Sequence, residues 1–332
     1  MIMKIKFAAL FILSGCSQNV QTDNILLNRV EHFEPNELFA SDDLEILADG
    51  FDWTEGPLWL PELGKLIFSD IPPNKVFEWS EKAGIEIYLY PSGYTGETPR
   101  TGEPGSNGLL LDDNGQLILC QHGDRRMARM LAPIETPASN FETIISEYKG
   151  KKLNSPNDAI FDSGGNLYFT DPPYGLEERM DDPLKEIDFQ GVYLFTKSDS
   201  LILLTTELTR PNGIALSPDE KFLYVANSDP KQAIWMKYSL NQNGTISGGS
   251  IFYDATDRVG KEGEMGLPDG MKIDKNGNIF ATGPGGIWVF SPEGKVISKI
   301  RTGQATSNVA FGQDNKSLFI TADDYLMRVK LN

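Results

Sequence analysis

The sequence predicts an all-β fold that is built from six repeats of roughly fifty residues, a period typical of repeat arrays. The apolar runs are short and bounded by Gly, Pro, Asn or Asp, and helical periodicity is weak and confined to residues 138–148. Each repeat opens with an oxygen-bearing side chain just before an apolar strand pattern. The openings are residues 54–57, 106–108, 156–158, 211–213, 268–270 and 307–309. Each repeat contains about four short strands, and six such repeats predict a six-bladed β-propeller.

Within a repeat, the opening is followed by a strand, a turn and a second strand. Asn212 precedes an apolar segment at 213–216, a turn at 217–220 and a second apolar segment at 222–225. The Asn-Gly and Asp-Gly pairs of such turns suit hairpins, because these turns require positive φ angles.

The last repeat is one strand short, which predicts how the ring closes. The chain ends in an apolar strand pattern at residues 326–331, and residues 44–47 form another before the first repeat. We expect these two strands to pair, because pairing removes an exposed sheet edge. The predicted propeller domain therefore spans residues 44–332.

The N-terminus has the pattern of a bacterial lipoprotein signal. A basic start precedes an apolar run at residues 7–13, which is too short to span a membrane. Leu13-Ser14-Gly15-Cys16 resembles a lipobox, so we predict a signal peptide at residues 1–15 and a lipid on Cys16; the alternative is an ordinary signal peptide with a chance cysteine. Residues 16–43 are predicted to be a lipid-anchored tether. The protein would then lie in the bacterial cell envelope on the periplasmic side, and Ser17 favours the outer membrane.

Composition excludes several other classes of protein. The formal net charge of −17 disfavours nucleic acid and anionic membrane surfaces as partners, so the membrane would be contacted only through Cys16. Cys120 is the only other cysteine, and it is predicted to be a buried hydrophobic residue without a disulfide partner. The two histidines, His32 and His122, are too few for a His-rich zinc site.

The openings of the repeats are the candidate functional site, because equivalent positions in a closed ring face one axis. A single Asn before a strand is usually a turn residue, but Glu55 is a poor turn former. Its charge would be costly at a buried site without a partner. Glu55 and Asp269 supply two carboxylates, and Asn157 and Asn212 supply neutral oxygens. This composition predicts a site for a hard cation such as calcium.

Four further motifs resemble a known family. They are residues 91–96, 121–126, 168–176 and 318–322. Over residues 44–332 the chain resembles the SMP-30/gluconolactonase/luciferin-regenerating family, and is most similar to bacterial gluconolactonases. The resemblance implies a divalent metal in the central channel of a six-bladed propeller. It implies that Glu55, Asn212 and Asp269 are metal ligands, and that Asn157 is a ligand or a substrate contact.

The resemblance also implies an activity, the metal-dependent hydrolysis of a sugar lactone to the aldonic acid. The metal would polarise the carbonyl group and Asp269 would act as the base, with Asp158 as the alternative base. Calcium is the expected metal, with zinc, magnesium and manganese as alternatives. The residues predicted to contact substrate are Asn107, Asp158, Tyr174, His122 and Asn308.

Several alternatives stay open at this point. Tyr174 could instead pack within its own blade, and His122 could mark a surface hairpin end. Residues 90–105 and 176–190 are long polar loops that could wall or cover the channel mouth. The alternative functions are a non-catalytic, calcium-stabilised propeller that binds protein or glycan, and a promiscuous esterase or phosphotriesterase. The identity of the lactone and the oligomeric state do not follow from the sequence.

Overall fold

The structure is a computed structural model that describes residues 29–332. The predicted signal peptide, Cys16 and the first part of the predicted tether lie outside the described residues. The strands are β1 Arg29–His32, β2 Phe39–Ala48, β3 Thr54–Leu60, β4 Lys65–Asp70, β5 Lys75–Ser80, β6 Gly84–Leu89, β7 Ser106–Leu111, β8 Leu117–Gln121, β9 Arg126–Met130, β10 Phe141–Ile145, β11 Glu147–Tyr148, β12 Lys151–Lys152, β13 Ala159–Phe161, β14 Leu167–Asp171, β15 Gly191–Phe195, β16 Leu201–Thr205, β17 Pro211–Leu216, β18 Phe222–Asp229, β19 Gln232–Leu240, β20 Ile246–Asp254, β21 Met271–Ile273, β22 Ile279–Gly283, β23 Gly286–Phe290, β24 Val296–Arg301, β25 Thr306–Phe311, β26 Ser317–Ala322 and β27 Tyr325–Leu331.

Helix is confined to short 3₁₀ turns in this part of the chain, at Arg179–Asp181, Thr256–Arg258 and Gln313–Asn315. The weak helical periodicity at residues 138–148 does not produce a helix, since Phe141–Ile145 forms strand β10. No helix in residues 29–332 is long and apolar enough to cross a bilayer. The predicted all-β class is therefore confirmed.

The strands form small antiparallel sheets in a propeller-like arrangement. Four sheets have four strands each, in the orders β3-β4-β5-β6, β7-β8-β9-β10, β13-β14-β15-β16 and β17-β18-β19-β20. A nine-stranded sheet has the order β21-β22-β23-β24-β1-β2-β27-β26-β25, and β11 and β12 form a separate ribbon.

The first strand of every repeat lies at the edge of its sheet, and these edges meet. Contacts run in a closed cycle from β3 to β7, β13, β17, β21 and β25 and back to β3. The predicted openings of the repeats are at or next to the N-terminal ends of these strands. They are therefore brought together around one axis.

Two kinds of glycine shape this ring. The turn glycines Gly115 and Gly277 have φ angles of 75° and 87°, as expected for the predicted turns. Glycines of the openings instead permit close approach between neighbouring inner strands. A β-carbon at Gly213 would lie 2.1 Å from the carbonyl oxygen of Asp269, and one at Gly108 would lie 2.8 Å from that of Asn157. The Asn-Gly pairs at the openings are thus packing positions rather than turns.

The N-terminal and C-terminal strands pair as predicted. In the antiparallel pairing of β2 with β27, Leu44 lies opposite Val329 and Ile46 lies opposite Met327. This pairing leaves neither strand as a free edge.

The boundary predicted at residue 44 is wrong, because the folded region includes residues 29–43. Strand β1 pairs with β24, and Val30 is 4% exposed in a core cluster that also contains Ile300. His32 accordingly lies in a sheet, where its Nε2 is 2.8 Å from Asp42. Most side chains in this segment are exposed or half-buried, and its composition is accordingly polar. The polar composition therefore predicted a tether rather than strands.

Candidate functional site

The openings of the repeats surround a cavity of about 220 Å³. This volume is below the ~300–1,000 Å³ typical of pockets for drug-sized ligands, so the cavity suits a small molecule such as a single sugar ring. The residues that line it are Trp53, Glu55, Glu103, Asn107, Asn157, Tyr174, Arg179, Arg210, Asn212, Ser228, Gly266, Leu267, Asp269, Ala305 and Thr306. All four residues predicted to bind metal are in this set, together with two predicted to contact substrate, Asn107 and Tyr174.

Four side-chain oxygens at this cavity are buried and lack a hydrogen-bond partner among the described residues. They are the Oδ1 atoms of Asn107, Asn157, Asn212 and Asp269. Buried polar atoms are nearly always paired in folded proteins, and leaving one unpaired costs about 1–3 kcal/mol. The clustering of such atoms around one cavity therefore indicates a ligand that accepts the lone pairs of these oxygens.

Glu55 is held in place by two donors. Its Oε2 accepts hydrogen bonds from the backbone N–H of Gly56 at 2.8 Å and from Asn308 Nδ2 at 3.2 Å. Asn308 does not line the cavity, and its Oδ1 accepts the N–H of Val309 at 2.9 Å. In this arrangement Asn308 orients Glu55, whereas the sequence predicted a direct contact with substrate.

The electrostatics at the base of the cavity favour a cation. Burial raises the pKa of Glu55 to about 7, and the charge of Asp158 adds to this effect. Burial also raises the pKa of Asp269 well above its usual value, with a further contribution from neighbouring Glu55. Two buried carboxyl groups that repel each other in this way are stabilised in their charged forms by a shared positive ion.

The donor set fits a hard cation. Within residues 29–332, no group of three or more His, Cys, Asp or Glu side chains is arranged to hold a metal ion. Amide oxygens would therefore complete the coordination, and a set of carboxylate and amide oxygens is typical of calcium rather than zinc.

Asp158 lies behind the cavity rather than in its lining. It is 4% exposed, its Oδ1 accepts the N–H of Ala159 at 2.9 Å, and its Oδ2 has no partner among the described residues. Asp158 is therefore close enough for its charge to act on Glu55 and Asp269, but it does not line the cavity.

His122 is also outside the cavity lining, although its Nδ1 lies 3.6 Å from Oε2 of Glu103, which lines the cavity. Its side chain is fully buried, and Gly175 lies so close to the backbone and Cβ of His122 that a β-carbon at Gly175 would lie 2.6 Å from the His122 Cβ. Burial lowers the pKa of His122 to about 3, with a further contribution from Arg100, so the ring is neutral. The alternative that His122 is a surface residue is therefore wrong, and its contact with substrate stays a prediction that the cavity lining does not support.

The walls of the cavity contain residues that the sequence did not single out. Glu103 and Arg179 come from the two long loops predicted to flank the mouth, and Arg179 Nη2 lies 3.2 Å from Glu103 Oε1. Trp53, Arg210 and Ser228 come from other segments of the chain. These residues have no shared spacing or motif, so only the folded chain reveals that they face one cavity.

The two long loops are tied together beside the cavity. The guanidinium group of Arg100 donates to the carbonyl oxygens of Gly123 at 2.6 Å and of Gly175 at 2.7 Å. The backbone N–H of Thr101 donates to Glu177 Oε1 at 2.9 Å. These bonds fix the wall that carries Glu103.

Comparison with known proteins identifies the family. A model of the SMP-30/Gluconolactonase/LRE-like region matches residues 53–324. This chain belongs to that family. The resemblance found in the sequence motifs is therefore confirmed.

Several known proteins are similar to this chain over most of its length. A gluconolactonase from Zymomonas mobilis is 40% identical over 298 residues, which cover 88% of this chain and 82% of the relative. The structure of a gluconolactonase from Xanthomonas campestris is 27% identical with a TM-score of 0.76, and the match covers 92% of this chain and 94% of that one. A calcium-binding regucalcin from Agrobacterium tumefaciens, 17% identical with a TM-score of 0.66, shares the fold over 88% of this chain and 95% of its own.

Proposed function

We propose that this protein is a metal-dependent lactonase that hydrolyses a sugar lactone to the aldonic acid. Family membership and the gluconolactonase relatives support hydrolysis of a lactone. The observation that carries the proposal is the cluster of buried, unpartnered oxygens and two carboxyl groups at one small cavity. Such a cluster is costly without a cation and is suited to chemistry in which negative charge develops on a carbonyl oxygen.

We further propose that the fold is a propeller of six blades. The nine-stranded sheet would supply two of them, β21-β22-β23-β24 and β25-β26-β27-β2, with β1 as a bridge between their outer strands. The closed cycle of six contacting inner strands supports this count.

Glu55, Asn157, Asn212 and Asp269 would hold the metal, and calcium is the ion that their oxygens favour. When bound, a divalent cation stabilises charge on the carbonyl oxygen and lowers the pKa of bound water. The carboxylate of Asp269 takes a proton from the attacking water. Asn308 and the backbone N–H of Gly56 hold Glu55 in a fixed orientation.

The walls would orient the sugar. The unpaired oxygen of Asn107 accepts a hydrogen bond from a substrate hydroxyl group, and Arg210 and Ser228 donate to substrate oxygens. Trp53 and Tyr174 offer apolar ring surface, which packs against the carbon face of a sugar. Each of these residues lines the cavity.

A screen of aldonolactones, aryl esters and phosphotriesters, each with and without a chelator, tests the proposal. We expect chelator-sensitive turnover of aldonolactones. A wild-type protein that stays fully active after complete removal of divalent metal would refute the metal site. Turnover of no lactone would favour the non-catalytic binding alternative, and a preference for aryl esters or phosphotriesters would favour the promiscuous esterase.

Replacement of Glu55 separates metal binding from catalysis. Glu55→Gln is expected to weaken calcium binding, because it removes one negative charge from the cluster, and excess calcium should partly restore the rate. The measurement is the calcium concentration at half-maximal activity together with calcium binding by calorimetry. Glu86→Gln is the control, since Glu86 is an exposed residue of β6. Unchanged calcium affinity in Glu55→Gln would show that Glu55 is not a ligand.

We also propose that Cys16 is lipidated and anchors the protein on the periplasmic side of a bacterial envelope, with the outer membrane favoured. The motif at residues 13–16 supports this proposal. Cys16→Ser should give a soluble or unprocessed form in membrane fractionation. An unchanged membrane fraction and an unchanged mature mass would contradict it.

A further inference from the structure

We propose that Glu103 is the proton donor to the leaving oxygen when the lactone ring opens. This inference rests on the proposed lactonase function and adds a second acid–base residue to Asp269. It concerns ring opening, the step for which the cluster of cavity oxygens supplies no proton donor. An alkoxide is a poor leaving group, and a positioned acid that protonates it contributes roughly 10²–10⁴-fold to the rate.

The position of Glu103 is the first support. Glu103 lines the same cavity as Asp269, and its side chain is 22% exposed. It is close enough to Asp269 for its charge to raise the pKa of that residue. A ligand in this cavity would therefore lie within reach of both carboxyl groups.

The surroundings of Glu103 are the second support, because little positive charge balances its carboxylate. Burial raises the pKa of Glu103 to about 7, and Arg179 opposes this shift only in part. The Arg179 side chain is 60% exposed, so water screens its charge. His122 Nδ1 lies 3.6 Å from Glu103 Oε2, but the buried ring is neutral. Asp269 and Tyr174, which also interact with Glu103, add no positive charge.

The other polar side chains in the wall are weaker proton donors. Burial, together with the charge of Asp269, raises the pKa of Tyr174, which makes its hydroxyl group a poorer acid than a free phenol. A guanidinium group does not act as a proton donor in proteins, so the two arginines of the wall, Arg179 and Arg210, are not candidates. Glu103 is thus the wall residue of this cavity whose carboxyl group can both give up and regain a proton near neutral pH.

Asp269 and Glu103 share the proton transfers of the proposed ring opening. The water oxygen forms a bond to the carbonyl carbon while Asp269 accepts the water proton. The bond from the carbonyl carbon to the ring oxygen then breaks, and its electron pair goes to the ring oxygen. That oxygen takes the proton of Glu103 and becomes a hydroxyl group of the product. Asp269 releases its proton to solvent and Glu103 regains one from solvent.

Leaving-group dependence distinguishes a proton donor from a residue that only shapes the cavity. Ring opening of an aliphatic aldonolactone produces an alkoxide, which needs a proton. Ring opening of a phenolic lactone such as dihydrocoumarin produces a phenolate, the conjugate base of an acid of pKa ~10. Glu103→Gln should lower kcat by roughly 10²–10³-fold on the aldonolactone and by less than about 10-fold on dihydrocoumarin. The wild-type rate on the aldonolactone should fall as the pH rises through the pKa of Glu103, and Glu103→Gln should lack this decline.

Glu177→Gln is the matched control. Glu177 is a partly exposed residue of the facing loop that accepts a hydrogen bond from Thr101, and glutamine keeps an acceptor there. We expect Glu177→Gln to change kcat by the same factor on both lactones. If Glu103→Gln does not fold, as judged by circular dichroism, Glu103→Asp should show a smaller loss with the same leaving-group dependence.

The outcomes are distinct. Equal losses on both lactones, or no loss, in Glu103→Gln would overturn the assignment of Glu103 and leave the lactonase function intact. Failure of the wild-type protein to hydrolyse either lactone would overturn the lactonase function and this inference with it.

Discussion

Asp269→Asn is expected to reduce lactone hydrolysis by roughly 10²–10⁴-fold, the usual contribution of a general base. The asparagine amide keeps the shape of the side chain but cannot accept the proton of the attacking water. The fold should persist, because Asp269 Oδ1 has no hydrogen-bond partner in the described part of the chain that the change could break. Its backbone N–H still donates to the carbonyl oxygen of Thr282 at 3.3 Å.

The measurement is kcat/KM on the best aldonolactone, with the thermal midpoint as a check of folding. Asp188→Asn is the control, since the Asp188 side chain is 92% exposed and far in sequence from the openings. Full activity in Asp269→Asn would leave the metal site standing but move the base elsewhere. Asp158→Asn would then be the next variant, and loss of activity there would identify the alternative base.

Glu264→Gln is expected to lower the free energy of unfolding by about 3–5 kcal/mol, because it leaves buried positive charge without its partner. Glu264 Oε2 lies 2.6 Å from Lys299 Nζ, and its Oε1 lies 2.9 Å from Arg301 Nη1. The Lys299 side chain is 2% exposed, and its ammonium group is 4.3 Å from the centre of the Trp288 ring. Burial lowers the pKa of Lys299 to about 8 even with Glu264 present.

Urea unfolding measures this effect. Glu34→Gln provides the control, because the exposed pair of Glu34 with Lys295, at 2.7 Å, should contribute only about 0–1 kcal/mol. The double variant Glu264→Gln with Lys299→Met should recover part of the loss, since it removes the unpaired buried ammonium group. A loss in Glu264→Gln no greater than that in Glu34→Gln would show that this cluster does not stabilise the fold.

The position of Glu264 links this stability to the cavity. Gly266 and Leu267, which follow Glu264 closely, line the cavity just before Asp269. The backbone N–H of Gly285 also donates to the carbonyl oxygen of Met265 at 2.7 Å. The buried ion cluster therefore anchors the segment that carries the proposed base.

The repeat pattern was visible in the sequence because each inner strand faces the same two constraints. The oxygen-bearing residue at or next to its N-terminal end faces the cavity. The residue after it can pack against the next inner strand, as at Gly56, where a β-carbon would lie 2.1 Å from the carbonyl oxygen of Asn107. These constraints recur at local positions, so Glu55, Asn157, Asn212 and Asp269 could be picked out without a structure. The pairing of residues 44–47 with the C-terminal strand followed from counting strands.

Other features had no such local signal. Strand β1 contains one buried apolar residue, Val30, and its main partner strand, β24, is distant in sequence, so its polar segment resembled a tether. His122 was predicted to contact substrate, but its side chain is fully buried and is not part of the cavity lining.

By itself, the sequence determined the all-β class, the repeats, the family motifs and the oxygen-bearing residues that face the axis, because each depends on residues close together in the chain. Only the tertiary structure decided which side chains form the wall of the cavity. Glu103, Arg179 and Arg210 come from three different connections between strands, and they meet because the ring of inner strands closes. Closure also decided how deeply Glu103 is buried, and burial sets the pKa of a carboxyl group more strongly than its neighbours in the sequence do.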